Sequence, residues 1–145
     1  MIYTELTVKA MRTAYEAHQG QYDVSGVPYI FHPFHVAEQM TDEIAVCTAL
    51  LHDVAEDTDV TLEQLKQMFP KEVTDALELL TFDKTTDYFD YIRKIKQNPT
   101  AKAVKLADIA HNSDQSRITD KSKVSPQKLA HWKEKYDKAR KILEE

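Results

Sequence analysis

Residues 43–57 read EIAVCTALLHDVAED, and this stretch decides the fold. From Glu43 to about Glu56 the apolar side chains fall on nearly every side of a helix, which is typical of a helix enclosed by other helices. Polar side chains in such a helix are costly unless they are partnered. Four of them follow one another at its carboxyl end: His52, Asp53, Glu56 and Asp57. The segment therefore predicts a central buried helix and places a polar site at its end.

Apolar residues recur at helical spacing through most of the remaining chain. With 2 Gly and 5 Pro in 145 residues, the sequence has too few turn-forming residues for an all-β sandwich. No repeat, low-complexity tract or linker divides it. We therefore predict one all-α domain over residues 1–145, a bundle of seven or eight helices. The predicted helices span residues 4–18, 32–40, 43–56, 61–69, 70–80, 86–97 and 100–115, with a last one from about 126.

The composition also limits the cellular setting and the partners. A single cysteine, Cys47, excludes an internal disulfide, and the N-terminus does not resemble a secretion signal, so we expect a cytoplasmic protein. The apolar runs are far shorter than the roughly 18 residues that cross a bilayer. A net charge of −5 argues against general binding to nucleic acid. The sequence predicts no particular oligomeric state.

Two residues elsewhere in the chain are candidate partners for His52 and Asp53. His32 lies where a loop meets a helix, and Asp108 lies on the same helical stripe as Ala101 and Val104, where an unpartnered carboxylate is unfavourable. Two imidazoles and two carboxylates suit Mn, Fe, Ni or Zn better than Mg. Four protein ligands leave two octahedral positions for water and a phosphate oxygen, as a metal hydrolase requires.

Three motifs, in this order, make the chain similar to a known family. They are Ser25-Gly26-x-Pro28-Tyr29-x-x-His32-Pro33, then Ala49-Leu50-Leu51-His52-Asp53-Val54-x-Glu56-Asp57-Thr58, then Val104-Lys105-Leu106-Ala107-Asp108-x-x-His111-Asn112. Over roughly residues 5–115 the chain resembles the HD superfamily, and most of all its Rel/SpoT-type (p)ppGpp hydrolase branch, which includes small stand-alone hydrolases.

The resemblance implies a function and a set of site residues. It implies a metal-dependent phosphohydrolase acting on a small nucleotide, most simply a (p)ppGpp 3′-pyrophosphohydrolase. The implied ligands of one Mn²⁺ are His32, His52, Asp53 and Asp108. Glu56 and Asp57 are implied as the pair that positions and deprotonates the attacking water. The implied pocket residues are Ser25 and Asn112.

Neighbouring residues are open to two interpretations each. Lys105 is a candidate phosphate contact or a surface charge, as is Arg117. His111 is a hydrogen-bonding partner of a ligand or a packing residue.

The sequence departs from the pattern of that branch in two places. Asp23 and Val24 stand where a basic pair usually precedes the Ser-Gly, and Ile109 stands where arginine is common. The first departure predicts weaker selection for guanine. Three other hypotheses therefore stay open: a phosphohydrolase for another nucleotide or a phosphorylated metabolite, a non-catalytic nucleotide-binding sensor, and a helical interaction protein. The last two leave a water-activating pair of carboxylates unexplained.

Overall fold

Helix α3 (Glu43–Leu51) lies at the centre of the computed structural model, which describes residues 1–145. All of its side chains from Ala45 to Leu51 are buried. Four helices pack around it: α1 (Glu5–Ala17), α2 (Phe31–Glu38), α6 (Lys71–Leu80) and α8 (Pro99–Asn112). The prediction of a central buried helix at this place is confirmed.

The remaining elements are also helical. They are α4 (Val54–Asp57), α5 (Leu62–Met68), α7 (Tyr88–Ile95) and α9 (Pro126–Glu144), with 3₁₀ turns at Gln115–Arg117 and Lys121–Lys123. The only β pairing is an isolated bridge between Tyr22 and Pro28, inside the loop after α1. The all-α prediction is confirmed. None of the helices combines the length and the apolar character needed to cross a membrane.

Short polar motifs set where several helices begin. Thr61 and Gln64 form the predicted capping box of α5, in which each side chain binds the other residue's backbone N–H. Asn98 caps α8 by accepting the N–H of Ala101 at 3.0 Å, and Pro99 takes the first helical position. These local hydrogen bonds fix the entry of each helix into the core.

The predicted single helix over residues 43–56 is wrong in one respect, because the chain turns at His52 and Asp53. α3 ends at Leu51, and α4 begins at Val54 as a single turn. Asp53 has φ −104° and ψ −1°, close to the bridge region of backbone space. In a continuous helix adjacent side chains diverge by about 100°. The break instead turns the side chains of His52 and Asp53 toward one point, and it makes nine helices from the eight predicted segments.

Helix α9 packs against α7 and α8 and buries Ala139 and Leu143. Its start is capped by Ser125, whose hydroxyl accepts the N–H of Lys128 at 3.1 Å. The rest of α9 stays more open, and part of it forms one wall of a cavity described below. The position of this helix, which the sequence predicts only as an amphipathic segment, therefore shapes the site.

Candidate metal centre and substrate cavity

Four side chains from three parts of the chain meet beside the break after α3. His32 comes from α2, His52 and Asp53 come from the break, and Asp108 comes from α8. Their nearest ligand atoms lie within 4.8 Å of one another. Nε2 of His32 is 2.8 Å from Oδ1 of Asp108, and Nε2 of His52 is 3.1 Å from Oδ2 of Asp53. The structure thus brings together the residues that the sequence predicts as ligands.

The hydrogen bonds of the two histidines suit metal binding through Nε2. Nδ1 of His52 is 2.5 Å from the carbonyl oxygen of Ala49, which can only accept, so this nitrogen carries the proton. In the neutral ring Nε2 then presents a lone pair to the cluster. Nδ1 of His32 is 2.7 Å from Nδ1 of His111, so one of these two rings donates to the other. His111 is therefore a hydrogen-bonding partner of the predicted ligand His32, the first of its two interpretations.

Lys105 is buried beside the cluster, and its interpretation as a surface charge is wrong. Its Nζ lies 2.8 Å from Oδ2 of Asp108, and only 12% of its side chain is exposed. Burial alone would raise the pKa of Asp108, but the Lys105 ammonium, with His32 and His52, holds that pKa well below its usual range. Asp108 is therefore ionised, as a metal ligand must be.

Tyr29 is a site residue that the sequence analysis missed. Its hydroxyl donates to Oδ2 of Asp53 at 2.6 Å, and its ring lies against those of His18 and His32. The hydrogen bond fixes the orientation of the Asp53 carboxylate. The sequence signal that could have identified it is its place in the Pro28-Tyr29 motif, three residues before His32.

Glu56 and Asp57 lie next to the cluster on α4, open to solvent at its edge. Their carboxylate oxygens are within 4.8 Å of those of Asp53 and of each other. Oε1 of Glu56 accepts the backbone N–H of Phe82 at 2.7 Å, which holds the side chain in place. Partial desolvation raises the pKa of Glu56; the Phe82 N–H opposes this, and the charges of Asp53 and Asp57 add to it. Glu56 is therefore a stronger base than an ordinary surface carboxylate.

A cavity of about 580 Å³ opens beside the metal cluster. Its end nearest the cluster is formed by Tyr29 and His32, and its far wall by side chains of α9 that include Trp132 and Tyr136. A volume of this size accommodates a small organic ligand. Asn112, predicted as a pocket residue, lines the cavity and donates to Oδ1 of Asp108 at 3.0 Å.

The other predicted pocket residue, Ser25, has its hydroxyl engaged with the opposite loop. The hydroxyl donates to the carbonyl oxygen of Arg117 at 2.6 Å and accepts the N–H of Thr119 at 3.2 Å. These bonds join the loop after α1 to the segment after α8. Asp23 and Val24 line the cavity in the same loop.

Gly26 has φ +82°, a conformation that glycine adopts without strain and that closes this turn. The buried Ile109 packs in the hydrophobic core, away from the cavity. The second departure from the family pattern therefore does not alter the cavity lining.

The donor set fits one divalent metal ion. Ligand atoms about 2 Å from a common ion lie about 3–4 Å apart. The four distances here between a histidine Nε2 and a carboxylate oxygen are 2.8, 3.1, 3.3 and 3.6 Å. The two imidazoles and two carboxylates match the chemistry of a borderline transition-metal ion. Lys105 compensates the charge of Asp108, and a bound cation would compensate that of Asp53 in this largely buried site.

The fold and this centre define an HD-domain protein. The family model described as HD domain matches residues 10–143. The chain therefore belongs to the HD-domain family, and the family together with the four-residue cluster indicates a divalent metal site.

Several named proteins are similar to this chain. It is 39% identical over 113 residues to the guanosine-3′,5′-bis(diphosphate) 3′-pyrophosphohydrolase MESH1 of Homo sapiens, covering 70% of this chain and 63% of that protein. The MESH1 of Danio rerio is 35% identical over 130 residues, covering 80% and 72%. The bifunctional (p)ppGpp synthase/hydrolase SpoT of Escherichia coli is 37% identical over 124 residues, which cover 72% of this chain. The match spans only 18% of the length of SpoT.

A solved structure supports the fold. It is described as a metazoan ortholog of SpoT that hydrolyzes ppGpp, and it superposes with a TM-score of 0.77 at 23% identity over 99% of this chain and 94% of that one. At this identity the likeness establishes the fold.

Proposed function

We propose that this chain is a metal-dependent phosphohydrolase that removes pyrophosphate from the 3′ position of (p)ppGpp. The observation that carries the proposal is that Glu56 and Asp57 lie directly beside the four-residue cluster, and a ligand-sized cavity reaches this cluster at His32. The names of the relatives support the choice of substrate. We further propose Mn²⁺ as the metal; Fe, Ni and Zn are alternatives with similar ligand preferences.

The proposed metal would be held by His32, His52, Asp53 and Asp108. When bound there, a divalent ion supplies Lewis-acid chemistry to a phosphate oxygen and lowers the pKa of a water molecule. The residues of the chain arrange the ligands for it. Tyr29 orients the carboxylate of Asp53, and the carbonyl of Ala49 fixes the tautomer of neutral His52. The ammonium of Lys105 keeps Asp108 ionised.

Glu56 is proposed to take the proton of the attacking water. The backbone N–H of Phe82 fixes one of its carboxylate oxygens, and the other oxygen is then available to accept a proton. Its raised pKa makes the carboxylate a better proton acceptor near neutral pH. Asp57, on the same helical turn, is proposed to orient the water.

The bonds formed and broken balance as a simple hydrolysis. The water oxygen forms a bond to the phosphorus next to the 3′ oxygen, and the bond between that phosphorus and the 3′ oxygen breaks. The proton taken by Glu56 can be returned to the sugar oxygen. The products are pyrophosphate and a nucleotide with a free 3′ hydroxyl.

The test measures the metal content of the purified protein and the release of pyrophosphate and phosphate from nucleotides. Purified protein loaded with Mn²⁺ is incubated with a panel of nucleotides that includes ppGpp, and pyrophosphate and phosphate are measured together with the nucleotide product. We expect pyrophosphate release from ppGpp at a higher kcat/KM than release from the other nucleotides. The variant Glu56→Gln is the matched control for contaminating hydrolases.

Either of two results would contradict the proposal and indicate a different function. Tight binding of ppGpp without release would make the chain a nucleotide sensor. Release from another nucleotide or phosphorylated metabolite, with none from ppGpp, would make it an HD phosphohydrolase of different specificity.

A further inference from the structure

Two arginines from different elements line the cavity beside the metal centre. Arg117 comes from the 3₁₀ turn after α8, and Arg140 comes from α9. Neither forms an ion pair or hydrogen bond with the four clustered residues or with Glu56. Both arginines therefore face the ligand space without taking part in the metal centre.

Arg117 is held in place while most of its donors stay free. Its Nη1 donates to the carbonyl oxygen of His111 at 2.9 Å, and its Nη2 lies 3.7 Å from Oδ2 of Asp23. The second contact is an ion pair beyond hydrogen-bonding distance. A guanidinium has five N–H donors, so four of them have no protein acceptor here. About a quarter of the side chain is exposed. A partly buried, oriented guanidinium with unused donors is suited to bind an anionic oxygen.

The carboxylate that orients Arg117 is itself fixed. Oδ1 of Asp23 accepts the N–H groups of Ser25 at 2.8 Å and Val27 at 3.0 Å. Asp23 therefore closes its own loop with one oxygen and faces Arg117 with the other. The residue that departs from the family pattern thus has a definite role: it holds a cation that comes from the opposite loop.

Arg140 repeats this arrangement on the α9 wall. Its Nη2 lies 3.6 Å from Oδ1 of Asp137, again an ion pair without a hydrogen bond. The other oxygen of Asp137 is 3.0 Å from Nζ of Lys133. The cavity is thus bordered by two arginines, and each is kept beside an aspartate that leaves its hydrogen-bond donors free.

We propose that Arg117 and Arg140 bind a second anionic group of the substrate, a phosphate other than the one that is hydrolysed. This inference rests on the proposed function, whose substrate carries phosphates at both the 3′ and the 5′ position, and it assigns two residues of this chain to the phosphate group that is not hydrolysed. In such a substrate one phosphate reaches the metal centre past His32, and the other meets the arginines. A nucleotide phosphorylated at the 3′ position alone leaves both guanidinium groups unpaired with ligand.

The experiment compares two ligands that differ only in the second group. Guanosine 3′,5′-bis(diphosphate) and guanosine 3′-diphosphate are assayed with the metal-loaded wild type, Arg117→Gln and Arg140→Gln. We expect Arg117→Gln to raise KM for the first ligand about tenfold or more, the loss expected for hydrogen bonds to a charged group. KM for the second ligand should change by less than about threefold, because this ligand lacks the group that Arg117 binds. The kcat for both ligands should also change by less than about threefold, because the lost contact is made equally in the ground state and the transition state.

Arg140→Gln and two further variants show whether the effect on KM comes from the arginine contact. Arg140→Gln should shift KM in the same direction. Arg117→Lys keeps the charge and should restore part of the affinity. Arg93→Gln removes an exposed arginine that pairs with Asp90 at 2.6 Å on α7, and it should leave both KM values unchanged.

The inference is overturned if Arg117→Gln raises KM for both ligands by the same factor, or for neither. To separate it from the proposed function, the same two ligands are titrated by calorimetry into metal-loaded Glu56→Gln, with and without Arg117→Gln. A preference for the bis(diphosphate) that disappears with Arg117 supports the arginine contact even if the wild type hydrolyses neither ligand. Equal affinity for the two ligands in the protein with Arg117 contradicts it.

Discussion

The four-residue cluster predicts that a metal ion stabilises the fold and that this stabilisation depends on the charge of Asp53. The conservative change is Asp53→Asn, because the amide oxygen can still accept the hydroxyl of Tyr29, which donates to this side chain at 2.6 Å. The variant therefore keeps the hydrogen bond and the volume and loses the anionic ligand. Each protein is compared with its own metal-free form, so that the loss of the contact between Asp53 and His52 at 3.1 Å does not enter the comparison.

The size of the expected difference in metal-induced stabilisation follows from the linkage between metal binding and folding. At a metal concentration of 100 times Kd, a ligand that binds only the folded state stabilises it by about 2.7 kcal/mol. A variant that binds about 100-fold more weakly gains only about 0.4 kcal/mol at the same concentration. The difference of about 2.3 kcal/mol corresponds to roughly 7 °C in Tm for a domain of this size.

The assay is thermal unfolding after removal of metal with a chelator, followed by addition of Mn²⁺, Zn²⁺, Ni²⁺ or Mg²⁺. The matched control is Asp90→Asn, an exposed carboxylate on α7 that should leave the metal response unchanged. A metal-induced rise in Tm that is the same in Asp53→Asn and wild type would refute the assignment of Asp53 as a ligand. No rise in wild type with any of the ions would refute the site.

Three other substitutions test separate parts of the site. Glu56→Gln keeps an acceptor for the N–H of Phe82 and should retain the metal, while turnover on a verified substrate falls by roughly 10²–10⁴-fold. The exposed control Glu63→Gln should leave turnover unchanged. Unchanged turnover in Glu56→Gln would remove Glu56 from the mechanism. Lys105→Met leaves Asp108 without its buried cation and should lower the free energy of unfolding of the metal-free protein by about 3–5 kcal/mol. Lys71→Met breaks a pair of the same 2.7–2.8 Å length with Asp75 at the surface, and urea titration should show a much smaller loss, because solvent screens this pair. Similar losses in the two variants would contradict the role given to burial. Asp23→Asn keeps the acceptor that closes its loop but removes the charge that holds Arg117, so KM for guanosine 3′,5′-bis(diphosphate) should rise by about fivefold, the effect of roughly 1 kcal/mol between charges in water. A fall in KM would mean that Asp23 mainly repels the substrate.

The sequence predicted the helical class and the meeting of distant residues because both follow from periodicity and from the cost of burying charge. Because His52 and Asp53 end an apolar helix, their side chains need polar partners. The structure places His32 and Asp108 beside them. Their role as ligands, and the roles of Glu56 and Asp57, stay predictions. The break after Leu51 escaped notice because the residues on both sides of it keep the apolar pattern of one continuous helix.

Local sequence patterns do not predict which residues form the wall of the cavity. The sequence shows that α9 is amphipathic, but the part that faces the cavity depends on how the helix packs on α7 and α8. Arg117 and Asp23 are 94 positions apart, and no spacing rule relates them. A single sequence could suggest a repulsive role for Asp23; only the fold shows a cation held against it.

The metal centre and the far wall of the cavity are built from different parts of the chain. The clustered residues come from α2, the break after α3, and α8, whereas Arg140 and Trp132 come from α9, which lies outside all three motifs. A library of variants confined to exposed positions of α9 should therefore change the lining of the cavity and leave the four clustered residues in place.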